Sequence, residues 1–132
     1  MIVDTSALIA ILHREPEHAR FSAILDASPA NKISAATLIE ACIVVDRWKD
    51  PILSSRLDEI LDRFSISIEP VTADHARIAR QAFRDYGRGS GHPANLNFGD
   101  CFSYALARTT REPLLFKGQD FSRTDLAPAV PG

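Results

Sequence analysis

The stretch MIVDTSALIAIL, residues 1–12, passes from a short apolar run into a helical pattern, with one acid at the junction. MIVD reads as a first, buried strand ending at Asp4, and TSALIAILHRE reads as a helix capped by Thr5 or Ser6. The same alternation continues along the chain. Pro16 opens PEHARFSAILDA, a helix with Phe21, Ile24 and Leu25 facing inward, and KISA follows as a short strand. ATLIEACIVVDRW is a strongly apolar helix, and PILSSRLDEILDRF is an amphipathic one begun by Pro51. SISIEPV alternates as a strand. TADHARIARQAFRDYG is a helix with Thr72 or Asp74 near its cap and Gly87 closing it. The Gly/Pro/Asn-rich loop GRGSGHPANLN leads into a helix within LNFGDCFSYALA. PLLF is another strand, and Val130 marks a last one. Continuously apolar strands that alternate with helices predict an α/β fold, its parallel sheet covered on both faces. In such sheets ligands bind at the carboxyl ends of the strands.

A length of 132 residues predicts one domain, residues 1–132, able to bury a core without staples. The formal net charge of −2 gives no general attraction for nucleic acid, so any RNA contact must rest on a local basic patch and on cations. Cys42 and Cys101 sit in apolar helical patterns and read as buried small hydrophobes in a reducing compartment. No apolar run reaches the ~18–20 residues of a membrane span. The first residues lack the charged region and cleavage site of a signal peptide, so the expected location is cytoplasmic.

Most of the 17 acidic residues have polar neighbours and belong to solvated faces. Asp4, Glu40, Asp100 and Asp120 stand apart. Asp4 ends the first strand and Asp120 follows PLLFKGQ; each also suits an ordinary cap or loop. Asp100 lies between Phe98 and Phe102 at a helix start, where capping and a functional role fit equally well. Glu40 is the only charged residue between Lys32 and Asp46, with Ala36, Thr37, Ile43 and Val44 as its helical neighbours. It reads as a buried acid, paired with an arginine or functional. Gathered above the carboxyl edge of a parallel sheet, these acids would repel one another unless a cation lay between them. Oxygen ligands without His or Cys point to Mg²⁺ or Mn²⁺, and such sites suit phosphoryl chemistry.

The ordered motifs MIVDTSAL, ATLIEA, LNFGDCFSYALA and PLLFKGQDF resemble those of PIN-domain ribonucleases, and most of all the VapC toxins of bacterial toxin–antitoxin pairs. The resemblance covers essentially the whole chain. It implies a three-layer α/β/α fold with a small parallel sheet and a Mg²⁺- or Mn²⁺-dependent endoribonuclease. It also implies a homodimer silenced by a VapB-type antitoxin that doubles as a DNA-binding repressor. Carried over, Asp4 and Asp100 match the direct metal ligands, and Glu40 matches the acid that holds metal-bound water or activates the attacking water. Asp120 matches the most variable acid, acting through water. The position before it, often Asn or Asp in relatives, is Gln119. Thr5 and Ser6 match hydroxyl residues near the metal, and also suit helix caps.

Arg84, Arg88, His92 and Lys117 are the candidate contacts to the RNA backbone, alongside a simpler reading as solvated loop and helix ends. His13 and His75 read as surface residues and His18 as part of a polar helix, while Trp48 reads as core before base stacking. Leu8, Ile11, Leu12, Phe21, Ile24 and Leu25 offer more apolar surface than one sheet face needs. By the resemblance, some of it binds the antitoxin, whose inserted arginine would approach the carboxylates. A haloacid-dehalogenase-type phosphoenzyme needs a second Asp two residues after Asp4, where this chain has Ser6. A receiver-type phosphoacceptor fits poorly, because the acids are spread along the chain. The remaining alternative is a PIN-like protein-binding module without catalysis.

Overall fold

The computed structural model describes residues 1–130. In chain order the elements are β1 (Ile2–Val3), α1 (Thr5–Leu12), α2 (His18–Ala27), β2 (Asn31–Ser34), α3 (Ala35–Arg47), α4 (Pro51–Arg63), β3 (Ile66–Glu69), α5 (Ala73–Tyr86), α6 (Phe98–Thr110) and β4 (Leu114–Leu115). The strands form one parallel sheet in the order β3-β2-β1-β4. Successive side chains on a strand point to opposite faces, and the packing follows that period. Val3, Ile33 and Leu115 pack with Leu8 of α1, Phe21 and Leu25 of α2, Val45 of α3 and Leu57 of α4. Ile2 and Leu114 face the other way, onto Leu96, Ala82 of α5 and Tyr104 and Leu106 of α6. The result is the expected α/β/α layering.

Strands as short as β1 and β4 hold their register through buried pairing, Ile2 opposite Leu114 and Val3 opposite Leu115. Among the described residues no helix is long and apolar enough to cross a membrane. The segment around Val130 is not a strand. The tail instead makes a single parallel bridge between Pro128 and Leu114, with Leu114 N donating to Ala127 O and Ala129 N donating to Leu114 O.

Local chemistry departs from several sequence expectations. The cap of α1 is Asp4, whose carboxylate accepts from Ser6 N, so neither Thr5 nor Ser6 caps it. Pro16 precedes α2 by a turn, and that helix starts at His18 without a side-chain cap. Trp48 is no core residue: it is 38% exposed and meets the ring of His13 edge-on at 4.3 Å. His75 is buried, not a surface residue. Its Nε2 shares a 3.1 Å hydrogen bond with Thr109 Oγ1, which also lies 2.9 Å from Ala105 O. Cys101 is buried as expected, whereas Cys42 is only half-buried. Leu8, Leu12, Phe21 and Leu25 are consumed by the core, so of the proposed docking residues only Ile11 and Ile24 retain surface.

Candidate active site

β1 and α6 deliver Asp4 and Asp100 to the carboxyl edge of the sheet, and α3, which follows β2, brings Glu40 to the same place. Asp4 is 4% exposed. Its Oδ1 accepts from Ser103 Oγ at 2.6 Å, while its Oδ2 accepts from Ser6 N at 3.1 Å and Ser6 Oγ at 2.7 Å. Ser103 spends its single proton on Asp4, so the 3.2 Å contact with Thr37 is donated by Thr37 Oγ1. Ser6 Oγ in turn accepts from the backbone N of Lys117 at 3.0 Å, which ties the β4–Asp120 loop to Asp4. Three donors thus compensate a carboxylate that water barely reaches.

The structure gives Asp100 the capping role considered for it. It occupies the third position of a capping box: Asn97 Oδ1 accepts from Asp100 N at 2.9 Å, and Asp100 Oδ2 accepts from Asn97 N at 3.0 Å. Among the described residues its Oδ1 accepts no hydrogen bond and remains available. Burial above all, with the charges of Asp4, Asp120 and Glu40 adding to it and the Asn97 backbone bond opposing, pushes the Asp100 carboxyl up to about 7. Phe98 does not shield it, being 77% exposed and packed edge-on against Phe102 at 4.9 Å.

Glu40 is half-buried, and the premise that apolar neighbours enclose it fails because Ile39 and Ile43 point to solvent at 60% and 52% exposure. Its Oε1 accepts from Thr5 Oγ1 at 2.7 Å, and no arginine pairs with it among the described residues. Asp120 is exposed just past β4, close enough to raise the Asp100 pKa. None of the four acids forms a salt bridge among the described residues.

Two of the four candidate phosphate contacts are occupied. Lys117 Nζ bonds Glu15 at 2.8 Å and lies 3.3 Å from Glu17, so its charge is largely answered and its pKa is raised, chiefly by the Glu15 bond. His92 Nδ1 accepts from Ala94 N at 3.0 Å, and its ring stands edge-on to Tyr86, shaping the loop before α6. Arg84 and Arg88 are exposed and form no salt bridge among the described residues. Sequence reasoning missed Ser103 and Thr37. Each lies three residues from an acid on the same helix, Ser103 after Asp100 and Thr37 before Glu40, and that spacing was the available signal.

An uncompensated acid cluster at a sheet edge suits a hard cation. Among the described residues no three Asp, Glu, His or Cys side chains form a closed ligand set. The free Oδ1 of Asp100 and the carboxylate of Asp4 are oxygen donors of the kind a hard cation takes, one or two carboxylates with water completing the shell. Without a cation the raised Asp100 pKa has a thermodynamic consequence. The unfolded carboxyl titrates near 3.9 and the folded one near 7, so between those values the folded chain keeps a proton that the unfolded chain has lost. Stability is expected to fall as pH rises across that window and then level off. Discounted for solvent reaching Asp100, the drop is about 1–2 kcal/mol. Melts in chelator at pH 4.0 and 8.0 span it, and Asp100→Asn should remove that part of the difference. An unchanged pH dependence in Asp100→Asn would contradict this.

The family model for the PIN domain matches residues 1–126. Ribonuclease VapC42 of Mycobacterium tuberculosis (strain H37Rv) is 51% identical over 129 residues, covering 98% of each chain. Ribonuclease VapC28 of the same organism is 52% identical over 130 residues, again covering 98% of each. Among solved structures, Mycobacterium tuberculosis VapC20, a Sarcin-Ricin loop cleaving toxin, superposes with a TM-score of 0.75 at 22% identity over 98% of both chains. FitAcB from Neisseria gonorrhoeae superposes with a TM-score of 0.70 at 22% identity, over 96% of this chain and 94% of that one. With a family model over nearly the whole chain and relatives about half identical along 98% of their length, this chain belongs to the PIN-domain family, among its VapC ribonucleases.

Proposed function

We propose that the chain is a VapC-type toxin, a Mg²⁺- or Mn²⁺-dependent endoribonuclease whose site is formed by Asp4, Glu40, Asp100 and Asp120. The observation that carries this reading is Asp100: a half-buried carboxyl with one free oxygen, facing three other acids and no cationic side chain. Asp4 and Asp100 would hold the metal directly, with Glu40 and Asp120 acting through water. When bound, the ion supplies positive charge to the scissile phosphate and lowers the pKa of a water. The protein's own groups set the geometry. Ser103, Thr37 and Ser6 fix the Asp4 carboxylate, and Thr5 holds Glu40 through Oε1, leaving Oε2 to take a proton from the attacking water. The N-terminus of α6 favours negative charge where Asp100 and the phosphate meet. Arg84 and Arg88 are the side chains free to contact the RNA backbone.

The partners follow from the relatives. Solved neighbours include a toxin–antitoxin complex from Klebsiella pneumoniae and VapBC2 from Rickettsia felis bound to promoter DNA. By that likeness the chain is restrained by a VapB-type antitoxin, and the family resemblance adds a homodimer. A groove of about 360 Å³ between α1, α2 and α4, lined by Ile11 and Ile60 with Arg14, Arg56 and Arg63, is the surface we assign to the antitoxin.

The test is purified, partner-free protein with structured RNA in Mg²⁺ or Mn²⁺. Cleavage is expected to vanish in chelator and to fall about 10²-fold or more in Glu40→Gln, the usual scale for losing a general base. Intact RNA at high concentrations of folded protein and metal would instead favour a binding module.

A further inference from the structure

We propose that Gly99 is a positioning residue for Glu40, its absent side chain leaving the space in which the Glu40 carboxylate sits. Gly99 lies in the first turn of α6, is buried, and has no positive φ, so backbone freedom does not explain a glycine there. Glycine is also among the poorest helix formers, and alanine would be the better residue on local grounds. The clearance explains it. A Cβ at Gly99 would lie 2.7 Å from Glu40 Cδ and 3.0 Å from Oε1, and closer still to Oε2. Those atoms are the far end of a flexible side chain, so a Cβ displaces the carboxylate and leaves the backbone in place. The displaced group would lose its 2.7 Å bond from Thr5 Oγ1 and its seat against the positive end of α6, one residue from Asp100. The dipeptide Gly99–Asp100 thus aligns two acids from different helices, one by carrying a carboxylate and one by making room for another. The inference rests on the reading of Glu40 as a site acid.

The experiment combines Gly99→Ala, Glu40→Ala and the double variant, read by RNA cleavage in Mn²⁺ and by melting in chelator. Gly99→Ala alone is expected to lower kcat about 10-fold or more, with KM for RNA changed less than about twofold. In the Glu40→Ala background, with the three atoms nearest the new Cβ removed, the same alanine should raise the melting temperature by about 2–4 °C through helix propensity. In the native background that gain should be cancelled or reversed. Native-like kcat in Gly99→Ala, or the same melting shift in both backgrounds, would overturn the proposal. Full activity of Glu40→Ala by itself would overturn the reading of Glu40 beneath it, whatever the melting data show.

Discussion

Asp100→Asn is expected to lower RNA cleavage by about 10³-fold or more, roughly 4 kcal/mol of transition-state stabilisation, while making the metal-free protein more stable at pH 8. The two effects share one cause. The ionised Asp100 carboxyl faces Asp4, Asp120 and Glu40 without a cationic partner, and its pKa near 7 reflects that burial and repulsion. Asparagine keeps the shape and can still accept from Asn97 N through its amide oxygen, so the capping box of α6 survives. It carries no charge to repel or desolvate. A rise of about 3–8 °C in melting temperature in chelator follows, from a gain of about 1–2 kcal/mol at this chain length. The same neutrality removes a ligand for the metal, so divalent ions, which should stabilise the native protein, should stabilise the variant much less. Cleavage within tenfold of native would remove Asp100 from the site. A drop in stability would show that its main work is structural.

The fold was legible because its signals are local. Apolar runs of two to four residues, each followed by a helical period and a turn, admit few arrangements beyond a covered parallel sheet, and β1–β4 form one. Asp4 and Asp100 were legible as acids at element junctions, where the physics of capping and of ligand binding coincide. Glu40 was singled out on a mistaken premise. Apolar neighbours in sequence do not imply burial, because Ile39 and Ile43 occupy the outer side of α3. Trp48 and His75 were exchanged for a related reason. Hydrophobicity ranks residues on average, while the choice between core and surface belongs to the packing of α5 on α6, which set His75 against Thr109. Lys117 illustrates a further limit: a cation near an acidic loop looks like a phosphate contact until Glu15 and Glu17, a hundred residues away in sequence, are seen to hold it.

Asp4→Ala should have the opposite stability effect to Asp100→Asn, lowering the melting temperature by about 10 °C, from a loss of about 3 kcal/mol. Asp4 is the cap of α1 and the acceptor for Ser103 Oγ, Ser6 N and Ser6 Oγ. Alanine leaves these donors buried or half-buried without a partner, and Ser103 is fully enclosed. It also frees Ser6, through which the Lys117 backbone anchors the Asp120 loop. Asp4→Asn should fall between native and alanine. One oxygen can still cap α1, but the amide nitrogen then faces Ser103, which must accept where it formerly donated. Thr37 already donates to Ser103, so the serine proton is left to find another acceptor. Both variants should abolish cleavage, and only alanine should markedly lower the melting temperature. If Asp4→Asn cleaves RNA at near-native rate, Asp4 is a structural cap and the metal must be held elsewhere. If Asp4→Ala melts like the native protein, the network from Thr37 through Ser103 to Asp4 does not govern the stability of this edge.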